Sequence, residues 1–161
     1  MALDQFLKLE GIDGEAVDAS HADEIDVLAW SFGASQSGTT HMGPGGGAGK
    51  VSIQDLSITK WIDKSSPNLL QVCNTGKHIP KAKLTVRKAG ENPLEYYIIY
   101  MEDCLITSIS TGGSGGEDRL TENISINFAK FKITYTPQKK DGSGDAEVEV
   151  GFNIAENTPW A

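Results

Sequence analysis

The chain has 161 residues, 39% of them hydrophobic and 18 of them glycine, with a formal charge of −8. That length fits a single domain (1–161) able to bury a sizeable core, and the glycine content points to many turns. A net acidic domain disfavours nucleic acid and anionic membranes as partners. No run approaches the ~18–20 apolar residues of a membrane span, so no membrane insertion is expected. The N-terminus, MALDQFLKLEGIDGE, lacks the basic region and apolar core of a signal peptide. These features place synthesis in the cytoplasm.

Most segments read as strands. Leu3, Leu7 and Leu9 start the first. Ile25 to Phe32 is apolar on both phases, which predicts burial on both faces. Gly33 to Lys50 has seven glycines in eighteen residues and reads as a long mobile loop. Val51 to Ile62 alternates, with a phase slip near Gln54-Asp55. The spacing then predicts a short helix over Pro67 to Thr75. Ser66 is its N-cap, Pro67 its first residue, Leu69, Leu70, Val72 and Cys73 its apolar stripe, and Gly76 its stop.

Lys81 to Lys88 predicts a half-buried strand, with Leu84 and Val86 inward and Lys83, Thr85 and Arg87 outward. Tyr96 to Ile109 is rich in aromatic and β-branched residues, and one ring of Tyr96-Tyr97 should stand outside the barrel. Four glycines in Gly112 to Gly116 precede a long strand, Ile124 to Tyr135, whose phase slips near Ala129-Lys130. A one-residue slip reads as a bulge or bend. Lys139 to Asp145 reads as a hairpin tip. Ala146 to Ile154 has the cleanest alternation, with Ala146, Val148, Val150, Phe152 and Ile154 on the apolar phase against Glu147, Glu149, Gly151 and Asn153. Trp30, Phe32 and Trp61 are core candidates, and Trp160 a surface or neighbour contact. The fold class is mainly β: a single antiparallel β-barrel, of two curved sheets, with one short α-helix and a long glycine-rich loop.

Chemistry is poorly supported. GPGGGAGKV fails as a phosphate loop, because Pro44 stands where the first glycine belongs and Val51 follows Lys50. His21, His41 and His78 are scattered, so no metal or other cofactor is expected. No serine sits in a GxSxG elbow. The carboxylate pairs Glu102-Asp103 and Glu117-Asp118 are sequence neighbours, which point to opposite faces of a strand. No enzyme activity is expected. Cys73 and Cys104 read as buried thiols used as small hydrophobes.

Charge placement is more informative. Met1 to Thr40 has eight acids and one base; Lys60 to Gly90 has seven bases and one acid. Such asymmetry suits a head-to-tail interface between copies, with Asp23 and Glu24 on one side and Lys77, Lys81, Lys83 and Arg87 on the other.

Three stretches, HADEIDVLAWSFGASQSG (21–38), KSSPNLLQVCNTGKHIPKAKLTVRKAG (64–90) and STGGSGGEDRLTENISINF (110–128), resemble the hemolysin-coregulated proteins of the bacterial type VI secretion system. The resemblance implies a tube subunit: hexameric rings that stack into a hollow tube, with sheath and spike proteins as partners and effector proteins in the lumen. It implies secretion without a cleaved signal, and a ring-stacking loop containing Ser37, Gly38, His41, Gly43, Gly45, Gly46, Gly47 and Lys50. Ala161 follows the last strand closely, so the plain tube form without an appended toxin is expected. A phage-like tail tube is the second reading. A monomeric barrel for a small ligand is the third, and requires an enclosed apolar pocket.

Overall fold

A computed structural model of the chain describes residues 3–38 and 48–160. Its elements in order are β1 (Leu3–Leu9), β2 (Ile25–Ser31), β3 (Ala34–Gly38), β4 (Ala48–Ile53), β5 (Leu56–Trp61), α1 (Ser65–Thr75), β6 (Ile79–Lys88), β7 (Leu94–Thr111), β8 (Thr121–Tyr135), β9 (Val148–Asn153) and β10 (Thr158–Pro159). Strands β8, β5, β2, β1, β6 and β7 lie side by side in that order. A second pairing of β7 with β8 closes these six antiparallel strands into a barrel. The first half of β8 pairs with β5, whereas Lys130 to Tyr135 pairs with β9. The sheet therefore runs on past the barrel as a flap.

The phase slip in β8 has a specific form. Phe128 and Phe131 are both buried although three residues apart, and opposite them Cys104 and Met101 do the same. The register is identical on both sides of the slip. Between them Asp103 adopts φ 54, a left-handed conformation that Asp tolerates better than most residues. Because both strands slip together, the ladder bends without changing register. The one-sided bulge lies elsewhere, at Thr107, where pairing moves from Ile106–Ile126 to Ser108–Ser125.

The barrel interior is filled. Leu7, Leu56, Ile58, Leu84, Ile99, Ile106, Ile124 and Ile126 are fully buried within it. Each contributes about 1.5–3 kcal/mol relative to exposure. Burial holds Cys104 in the same core, and with help from Asp103 and Glu102 pushes its thiol up to about 12. Cys73 is half-buried, and both cysteines are free.

Several expectations need correction. The Gln54-Asp55 slip is a break between β4 and β5. The segment Gly33 to Lys50 is not all loop, because its described ends are β3 and β4, which pair as a two-stranded ribbon apart from the main sheet. Strand β2 is buried on one face only, and Leu28 is exposed. Trp30 and Phe32 flank the core, but Trp61 lies outside it under the Arg119 guanidinium. Of the helix stripe, Leu69 is fully buried, Val72 and Cys73 are half-buried, and Leu70 faces solvent. The helix begins at Ser65, so Pro67 is its third residue. Lys64 occupies the cap position without a capping bond. Instead the Ser65 N–H donates to Asp63 Oδ1 at 2.9 Å. Gly76 ends the helix as expected, at φ 70, its N–H donating to the Val72 carbonyl.

Lys60 is the largest departure from a surface reading. It and Glu122 are directly opposed across β5 and β8 on the inward phase, both with fully buried side chains. Lys60 Nζ donates to Glu122 Oε1 at 2.5 Å, to Asp63 Oδ1 at 3.1 Å and to the Trp61 carbonyl at 2.8 Å. The Ser66 hydroxyl donates to the same Glu122 oxygen at 2.6 Å. One buried ammonium thus ties the start of α1 to the end of the barrel. Removing Lys60 alone strands the buried carboxylates of Glu122 and Asp63, whereas removing Glu122 as well leaves only Asp63, which still accepts the Ser65 N–H. Lys60→Met alone is expected to cost about 3–5 kcal/mol, and Lys60→Met with Glu122→Leu to recover part of that loss, with Asp63 still lacking its ammonium; urea denaturation of the two variants side by side measures the difference.

Candidate assembly surfaces

Residues 10–24 form a strap that leaves β1 and returns to β2. Its limbs pair through Gly14 N–H to the Asp23 carbonyl, 2.8 Å, and Ala16 N–H to the Glu24 carbonyl, 2.9 Å. A Cβ on Gly14 would lie 2.5 Å from the Glu24 carbonyl oxygen, so only glycine allows this approach. The strap lies across the outer face of β1 and β6. His21 stacks on Phe6 with centroids 4.4 Å apart, and its ring nitrogens meet Glu24 at 2.9 Å and Glu95 at 2.5 Å.

Arg87 is buried beneath the strap. Its two terminal nitrogens donate to both Asp18 oxygens, at 3.1 and 2.5 Å, and one also reaches Asp4 at 3.0 Å. This corrects the half-buried reading of β6, because Thr85 and Arg87 are covered as well as Leu84 and Val86. Arg87 and Glu24, expected to face another copy, are occupied within their own chain. The Arg87 fork and the Ser20 amide hold the Asp18 carboxyl down at about 2, and the same pairing pushes the Arg87 guanidinium up.

The other half of the same face is bare. Lys8 stands opposite Lys83 across β1 and β6, and Lys83 opposite Tyr100 across β6 and β7. With Glu10, Lys81 and Ala82 they line a shallow cavity of about 350 Å³. Like charges placed directly opposite destabilise a sheet slightly unless an anion lies between them. Further along this face Lys130 and Lys132 each hold Nζ 4.5 Å from the Trp160 ring, which also approaches Tyr100. Trp160 thus packs on its own sheet. A Cβ on Gly151 would meet the Trp160 carbonyl oxygen at 2.2 Å, so the tail needs glycine there.

The remaining candidates are dispersed. Lys77 and Lys81 are exposed, Lys83 is half-buried, and Asp23 is exposed at φ 64 on the strap. Ser37 and Gly38 end β3, and Lys50 lies in β4. His41, Gly43, Gly45, Gly46 and Gly47 lie outside the described residues. His21 and His78 each bind carboxylates, and among the described residues no group of three His, Cys, Asp or Glu could hold a metal. No described helix is long and apolar enough to cross a membrane.

The alternation of Ala146 to Ile154 holds for Phe152 and Ile154, which pack against the core, but not for the start of β9. Val148 and Val150 are 64% and 61% exposed, and Tyr135 beside them is 44% exposed. The inward phase continues onto a flap that has no inside. Nothing in the local pattern distinguishes these valines from core; only the point where the barrel ends does.

Asp18 yields a pH expectation. Its carboxyl is held below its unfolded value of 3.8, so the Arg87 contact stabilises the fold fully above that pH and is lost as pH falls through about 2. Protection of the strap amides, relative to the intrinsic exchange rate at each pH, is expected to fall as pH drops from about 4 to about 2 in the parent. Asp18→Asn should exchange fast already at pH 6, and equal protection in both at pH 6 would count against the contact.

A family model described as "Type VI secretion system effector, Hcp" matches residues 6–135. The chain is 60% identical over 159 residues to Protein hcp1 of Pseudomonas aeruginosa, covering 98% of each. Among solved structures, Hcp1 from Salmonella typhimurium is 38% identical with a TM-score of 0.83, over 99% of this chain and 100% of that one. A type VI secretion system effector from Yersinia pestis is 37% identical with a TM-score of 0.77, over 93% and 99%. A closed barrel of this topology, together with likeness along nearly its whole length, makes the chain a member of the Hcp family of the type VI secretion system.

Proposed function

We propose that the chain is the structural tube subunit of the type VI apparatus. Six copies close into a ring, and rings stack into a hollow tube that leaves the cell when the sheath contracts. The lumen carries or protects effector proteins, and a spike protein closes the tip. The observation that carries this reading is the 60% identity to Protein hcp1 across 98% of both chains. Export with the tube requires no cleaved signal. The protein acts through its surfaces and not through a catalytic site. The ribbon of β3 and β4 belongs to the segment expected to contact a neighbouring ring.

Physical features support assembly over the ligand-binding alternative. The barrel interior is occupied by core side chains, and the cavities among the described residues are surface grooves. An acidic chain with one bare basic face suits heterologous contact, which closes into rings or extends into stacks. The exposed acids of the strap, Asp13, Glu15 and Asp23, complement Lys8, Lys81 and Lys83 of another copy.

Negative-stain microscopy with light scattering on the same sample tests the reading. Six-fold rings with an open centre, of about six times 17.3 kDa, are expected; a stable monomer at micromolar concentration would overturn it. For the charge contact, Lys81→Glu with Lys83→Glu is expected to shift association to higher protein concentration, and added salt to weaken association of the parent. Rings indifferent to both would remove charge from the interface while leaving the tube reading intact.

A further inference from the structure

The strap over the outer face is anchored unevenly. Its first limb carries the buried side chains of Ile12 and Ala16, and Glu15 beside them accepts the Lys64 N–H at 2.7 Å. The tip has no such anchor. Val17 is 96% exposed, and between it and Glu24 His21 is the one buried residue. A loop tip with few apolar contacts opens at low free energy unless specific bonds hold it. Here a titratable ring supplies those bonds.

The ring sits where both of its nitrogens must donate. Nδ1 lies 2.9 Å from Glu24 Oε2, and Nε2 lies 2.5 Å from Glu95 Oε1 at the start of β7. An ionised carboxylate only accepts, and a neutral imidazole carries a single N–H. Carboxylates on both nitrogens therefore call for the imidazolium. The other charged groups around the ring are Arg87 of β6, which lies 5.1 Å from the centre of the same Phe6 ring, and Asp18 and Asp4, which pair with Arg87. With the proton, His21 and Arg87 together face Asp4, Asp18, Glu24 and Glu95. Without it, Arg87 faces all four carboxylates alone. Closure also leaves Thr85 Oγ1 and Arg87 Nε buried with no partner among the described residues. Water would relieve that penalty in an open strap, so the closed one depends on its ion pairs.

We infer that the strap is a proton-operated latch: protonated His21 fastens its tip to β7 through Glu95, and loss of the proton releases it. Release detaches Asp18 from Arg87. It returns Arg87 to the outer face that Lys83 and Lys8 share, so pH sets how basic that face is. The sign follows from the bonds. The protonated ring makes two and the neutral ring one, so closing the tip takes up a proton, and closure weakens as pH rises. Asp18 fails in the opposite direction, in strong acid. The strap is therefore held most firmly between the two limits.

Hydrogen exchange of the full-length chain tests the latch, read as protection of residues 17–24 relative to the intrinsic rate at each pH, with the β8 core as reference. From about pH 6 to about pH 8.5, across the range in which histidine changes charge, tip protection is expected to fall about tenfold or more while β8 is unchanged. That is the loss of one charge-assisted hydrogen bond. Glu95→Gln separates a latch from a merely structural contact. Its amide can donate to an unprotonated Nε2, so a neutral ring satisfies both neighbours. The tip of this variant is expected to be as protected at the higher pH as at the lower. Equal tip protection at both pH values in the parent would overturn the latch. So would a Glu95→Gln chain that loses protection at high pH as the parent does.

Discussion

Everything in this molecule depends on β7 and β8 keeping one register through a bend. They are the longest strands, and their ladder closes the barrel at one end and carries the flap at the other. A bend in one strand alone would shift its partner and turn every later side chain to the wrong face. Placing Asp103 in a left-handed conformation opposite the slip at Ala129 avoids this. Met101 and Cys104 stay inward on one strand while Phe131 and Phe128 stay inward on the other. The compensation allows one continuous sheet to be a packed barrel along part of its length and an open surface along the rest.

The charged residues divide along the same line. Where the barrel is closed, charges are consumed internally: Lys60 by Glu122 and Asp63, Arg87 by Asp18 and Asp4, His21 by Glu24 and Glu95. Beyond those contacts, Lys8, Lys81 and Lys83 remain on the outer face, and the valines of β9, on the opposite phase of the flap, have no second layer. The acidic first quarter and the basic middle therefore meet within the chain. They join where the strap lies on the sheet.

Much of this was legible in the sequence, in proportion to how local the cause was. Barrel class, the Gly76 helix stop and the turn at 139–145 follow from residue type and spacing, and all are present. The slip at Ala129 was visible in β8, but the compensating residue in β7 was not, because it is recognised only through pairing. Arg87 looked outward because its alternation with Leu84 and Val86 is correct; the strap that covers it comes from sixty residues and more away. Val148 and Val150 looked inward because alternation reports a phase and not whether that phase faces a core. The bare pairing of Lys8 with Lys83 depends on β1 lying beside β6, a long-range fact that no window along the chain contains.

The order in which the barrel can close has a consequence for biosynthesis. Strand β1 pairs with residues near 85 and β5 with residues near 124, so loops of about sixty to eighty residues must close before the core is enclosed. Contacts of such separation make folding slow compared with helical proteins, and a partial chain exposes strand edges while it waits. Strand β9 emerges from the ribosome after every strand of the barrel. A chain still being made can therefore close its barrel before the outer edge of the flap exists. The flap is thus added last, to a barrel whose strands have all already been made.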